Sequence, residues 1–140
     1  MSVCYIDVSE SQPVATYDAD EMRVPRPDSM ENLLIYLHEC AHFFLHRNDE
    51  TTPRYLKEFQ AETWALDKMQ AARITVPEEL VFDSKRRIAN DIRGAVRRKV
   101  QRLDRSAFEF ARPYLQDFEL EEFSGLVSVN ELPEQRKDGS

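Results

Sequence analysis

Residues 33–45 read LLIYLHECAHFFL, an apolar run interrupted only by His38, Glu39 and His42. A run of this length exceeds an ordinary strand and fits a helix. Asp28 or Ser29 supplies a cap ahead of it, with Glu31 three residues after Asp28 as a capping-box partner. The helix is expected to run to about Arg47 and, being apolar nearly all round, to lie centrally in the fold. Its three polar interruptions are H-E-x-x-H. Two His four apart project from one helical face about one turn from each other, so both imidazoles can reach a single zinc ion. Glu39, beside the first of them, is placed as a general base and then acid for an attacking water.

A catalytic zinc needs a third protein ligand and one open corner. Glu58 and Glu62 stand four apart in the next helical stretch, which starts at Thr52-Pro53 and runs to about Ala72. One of the two can ligate zinc; the other can accept a hydrogen bond from a ligand imidazole and fix its tautomer. Ala61 and Ala65 allow the two helices a close approach. His46 follows one turn after His42, but His38 and His46 are about 12 Å apart along a straight helix, so the three do not surround one ion. His46 is therefore expected at the surface or in a substrate cleft. All three His of the chain fall in this one helix, which leaves Tyr or Arg to stabilise a developing oxyanion. Tyr55, Tyr36 and Tyr17 are the candidates.

Around this centre the chain reads as α+β. Strands are expected over Val3–Val8, Val14–Tyr17 and Met22–Val24, the last a candidate edge for extended substrate. A third helix, from Pro77 or Ser84 to Leu103, carries the stripe Ile88, Ile92, Val96, Val100 and Leu103. A short fourth helix is expected over Ser106–Leu115, a strand over Leu126–Val129, and a disordered tail over residues 133–140. The expected organisation is one minimal zincin-like domain, residues 1–113, with the basic helix at about 84–104 inside it. An acidic extension, 114–140, follows.

The 140 residues carry a net charge of −7, which argues against general nucleic-acid binding. The charge is uneven. Residues 85–105 hold nine Lys or Arg against Asp91 and Asp104, a net +7, which leaves −14 for the rest. The basic helix is thus a solvated face or a dock for an acidic partner or phosphate. It lacks the interleaved aromatics of a single-strand binder. No stretch approaches the roughly 18 apolar residues of a membrane span, and Met1–Ser11 lacks the pattern of a signal peptide. With only Cys4 and Cys40, and no framework spacing, a reduced cytoplasmic setting is expected. Cys40 reads as a small buried residue.

His38-Glu39-x-x-His42 followed by Glu58-Phe59-Gln60-Ala61-Glu62-Thr63-Trp64-Ala65 resembles the ImmA/IrrE family of zinc metallopeptidases, in which H-E-x-x-H precedes E-x-x-A-(D/N)-x-F-A. His46-Arg47 is similar to that family's H-x-x-x-H-R ending, and the likeness spans roughly residues 14–77. It implies Glu58 as third ligand, with Glu62 replacing the family's Asp or Asn and Trp64 replacing its Phe. Glu62 remains the alternative ligand, because it lies twenty residues after His42, the spacing of thermolysin-like enzymes. The resemblance further implies a zinc endopeptidase acting on one specific protein, such as a transcriptional repressor. The rival expectation is a zinc-stabilised, non-proteolytic protein whose basic helix binds a protein partner or nucleic acid.

Overall fold

The computed structural model describes residues 2–6, 16–17, 21–116 and 125–128. Strands β1 (Ser2–Ile6), β2 (Thr16–Tyr17) and β3 (Glu21–Pro25) precede helices α1 (Met30–His46), α2 (Arg54–Ala71) and α3 (Glu78–Arg97). A two-residue strand β4 (Leu103–Asp104), helix α4 (Arg105–Ala111), a 3-10 turn (Arg112–Tyr114) and strand β5 (Leu126–Val127) complete the described elements. The described chain is thus mostly helical with small sheets, an α+β composition. It falls into two compact units, Met1–Asp49 with Gln60–Pro77 and Glu50–Phe59 with Glu78–Ser140. Helix α2 is unbroken and contributes to both. None of the described helices is long and apolar enough to cross a membrane.

In the first unit the sheet order is β1-β3-β2, with β1 parallel and β2 antiparallel to β3. The strand expected as an open edge is therefore the central one. Met22 is paired on one side with Val3 and on the other with Tyr17, so its backbone groups are already committed to neighbours. Val24 of β3 is fully buried against Cys40 of α1, with Tyr36 and Trp64 packed alongside. Cys40 is a free thiol.

Of the two candidate caps, Ser29 starts α1. It is extended (φ −138°, ψ 165°), and its hydroxyl accepts from the Asn32 N–H at 3.1 Å. Asp28 instead accepts from the Asn32 side-chain amide at 3.2 Å. The helix ends where Asn48 takes φ 67°, a left-handed turn that Asn tolerates better than most residues. Contrary to the uniformly buried rod expected from composition, the last turns of α1 bury His42 and His46 and expose Phe44 (63%) and Leu45 (46%).

The second unit has the larger core: Tyr55, Leu56, Ile88, Ala89, Ile92, Ala95, Leu103, Ala107, Phe108, Ala111 and Leu115. The Ile88-Ile92 stripe of α3 is there as its periodicity predicts. The helix stops at Arg97, however, six residues short of the expected end at Leu103. Lys99 turns left-handed at φ 63°, and the Val100 N–H reaches back to the Ala95 carbonyl at 3.2 Å, a closure of the Schellman type with Lys where Gly is usual. Leu103 stays buried as part of β4, parallel to β5. Asp104 then caps α4 by accepting from the Ala107 N–H at 3.0 Å. Its own backbone N–H donates to the Tyr55 hydroxyl at 2.8 Å. The expected tail at 133–140 and the acidic 117–122 segment lie outside the described residues.

Candidate metal centre

His38 and His42 share one face of α1. Their Nε2 atoms approach to 2.9 Å, and the rings meet edge to face with centroids 4.6 Å apart. Glu58 stands on α2 one helical turn before Glu62. One ligand atom each from His38, His42 and Glu58 lie within 4.8 Å of one another. Two imidazole nitrogens and a carboxylate oxygen are a donor set that zinc accepts, and ligand–zinc distances near 2.0–2.2 Å require such convergence. The group can hold a metal ion, and the residues present fit zinc.

Glu62 does other work. Its Oε1 lies 3.0 Å from Nδ1 of His38, and both carboxylate and ring are largely out of solvent. A carboxylate there accepts the Nδ1 proton, which leaves Nε2 of His38 as a lone-pair donor toward the ion position. Of the two acids that sequence left as alternatives, Glu58 thus belongs to the converging group and Glu62 to the outer side of His38. Glu39 is buried on α1, where a carboxylate is seldom found unpaired.

His46 departs from its expected place. It is 4% exposed rather than at the surface. Its Nδ1 is 3.0 Å from Nδ1 of His42, and its Nε2 is 2.8 Å from Oε1 of Gln60. Gln60 was not singled out from the sequence; its position two residues after Glu58 gives no chemical signal until the helices are set side by side.

The tyrosines divide. Tyr55 is 1% exposed in the core of the second unit, its hydroxyl accepting from Asp104. Burial, with the nearby Asp104 carboxylate, pushes its phenol up to about 12. It is a structural residue in that core rather than a free oxyanion donor. Tyr36 is half-buried beside Val24 and Cys40, and its hydroxyl is a hydrogen-bond partner of the Cys40 thiol. The side chain of Tyr17 lies outside the described residues. Burial raises the Cys40 thiol above its ordinary range, and the charge of Glu39 adds to this. The thiol is therefore held protonated, a poor nucleophile and a poor metal ligand.

On the exposed side of α3, Arg86, Arg87 and Arg97 face solvent, with Arg98, Lys99 and Arg102 beyond its end. Several cations of this unit are engaged locally. Arg86 pairs with Asp83 at 3.1 Å and lies over Tyr114, and Lys85 lies over Phe110. Arg93 donates to the Tyr114 carbonyl. Compared with protein-family models, with curated proteins and with solved structures, the chain matches none.

Proposed function

We propose that this chain is a zinc-dependent endopeptidase of the ImmA/IrrE type, with His38, His42 and Glu58 as the metal ligands. The observation that carries the reading is the convergence of those three side chains with Glu62 behind His38. Zinc, when bound, supplies a Lewis acid that polarises the scissile carbonyl and brings the pKa of a coordinated water toward about 7. Glu39 takes a proton from the attacking water and returns it to the departing amine, so that one water and one peptide bond become a carboxylic acid and an amine, the acid then passing its proton to the amine or to solvent. Glu62 holds His38 in the tautomer that presents Nε2. By the family resemblance, the substrate is one specific regulatory protein; by the cysteine usage, the setting is cytoplasmic.

The test is Glu39→Gln. The variant is expected to keep its zinc, measured by elemental analysis, and to lose cleavage by about 10²- to 10⁴-fold. Cleavage at the original rate overturns the reading. The exposed basic row on α3 favours a second reading, a zinc-stabilised binding protein for an acidic protein or nucleic acid. In that case Glu39→Gln leaves binding intact, while charge reversal at Arg97 and Arg98 abolishes it.

A further inference from the structure

Four contacts link the three imidazoles of α1 into a single chain. Glu62 Oε1 meets His38 Nδ1 at 3.0 Å, and His38 Nε2 meets His42 Nε2 at 2.9 Å. His42 Nδ1 meets His46 Nδ1 at 3.0 Å, and His46 Nε2 meets Gln60 Oε1 at 2.8 Å. All six ring nitrogens are used, and each contact requires one proton or one other cation between its two atoms. Three neutral imidazoles bring three protons to four contacts.

The ends of the chain decide where those protons go. A carboxylate oxygen and an amide oxygen can only accept, so His38 is protonated at Nδ1 and His46 at Nε2. A neutral His46 must then accept at Nδ1, so His42 donates from its own Nδ1. The one contact left without a proton is Nε2 to Nε2, where two lone pairs face each other at 2.9 Å. Those two lone pairs are the ring positions left for the cation that the metal reading requires.

We infer that Gln60 and His46 are positioning residues that set the tautomer of His42, as Glu62 sets that of His38. The inference rests on the metal reading above and adds a second, longer outer support to it. A carboxylate behind a ligand imidazole is the common arrangement; here His42 is served by an imidazole backed by an amide. His42 and His46 are buried, Gln60 is half-buried, and all three lie within the same compact unit, where a low local dielectric strengthens the contacts among them. The segment from His46 to Glu62 therefore supplies both outer supports, from the last turn of α1 and the middle of α2.

The test uses the full chain and zinc ion, with affinity read by competition against a chromophoric chelator. Gln60→Leu removes the acceptor at similar volume, and His46→Phe removes the imidazole. Each is expected to weaken zinc binding by about 10- to 100-fold. Gln60→Glu restores an acceptor and is expected to bind at least as tightly as the parent, a rescue that a purely packing role does not predict. Nitrogen-15 spectra of the zinc-loaded parent are expected to show His42 protonated at Nδ1 and metallated at Nε2. Parent-like affinity in Gln60→Leu, or metallation of His42 at Nδ1, overturns the relay while leaving the metal site standing. A parent protein that takes up no zinc overturns the site and the relay together. Should Gln60→Leu or His46→Phe not fold, the spectra of the parent alone decide.

Discussion

The carboxylate of Glu62 and Nδ1 of His38 sit 3.0 Å apart across twenty-four positions of sequence, joining α2 to α1 at the face of α1 that carries its three imidazoles. The pair binds the fold and the chemistry together. Removing the acceptor by Glu62→Ala frees the ring to rotate and to protonate at the wrong nitrogen. Zinc affinity is expected to fall about 10- to 100-fold, while Glu62→Gln, which keeps an oxygen there, is expected to lose less. Chelator competition on the two variants checks the order; equal losses contradict it.

Metal removal should register as lost stability. A ligand that binds only the folded state stabilises it by about 2.7 kcal/mol at a hundredfold excess over its dissociation constant. Zinc is accordingly expected to raise the melting temperature of the chain, and a chelator to reverse the rise. Glu58→Ala should abolish most of that shift, leaving the metal-free melt close to that of the parent. A melt indifferent to zinc contradicts the site.

Tyr55 predicts an alkaline limit for the second unit. Its folded phenol is pushed up to about 12, above the ordinary value near 10. The unfolded chain therefore ionises first as pH rises. The stabilisation is complete below about pH 10 and is lost progressively between about pH 10 and 12. Tyr55→Phe is expected to remove that slope. It also strands the buried Asp104 N–H, at a cost of about 1–3 kcal/mol at neutral pH. Urea midpoints from pH 7 to 11.5 measure both effects.

Two helices end on the wrong residue for their geometry. Arg73 (φ 60°) closes α2 and Lys99 (φ 63°) closes α3. A side chain in left-handed backbone costs about 1–2 kcal/mol that glycine does not. Lys99→Gly is expected to stabilise the chain by about 1 kcal/mol, and Lys99→Val to destabilise it. Chemical denaturation of the two variants tests the sign.

Much of the architecture was legible in the residues themselves. The apolar run at 33–45, the Thr52-Pro53 start and the Ile88-Ile92 stripe each give a helix close to its observed span, because burial of one face dominates over local detail. The end of α3 was not legible. Val100 and Leu103 continue the apolar period, and no Gly marks the turn that Lys99 makes. Strand order escaped too, since the sequence shows alternation but not partners, and β3 proved central. At the site, spacing alone put His38, His42 and the two acids into reach. Which acid joins the converging group is decided by Glu62 being taken up by His38, and the burial of His46 goes with Gln60 lying opposite it; no periodicity encodes either long-range contact.

The last turns of α1 also overturn any ranking of its positions by oiliness. Phe44 stands in solvent while His46, two residues on, is sealed from it. An engineer optimising this helix by hydropathy would protect the phenylalanine and replace the histidine with leucine. That swap takes away the partner of His42 Nδ1 and of Gln60 Oε1, and each buried polar group left unsatisfied costs about 1–3 kcal/mol. Oiliness is therefore a poor guide to which positions of this helix tolerate exchange.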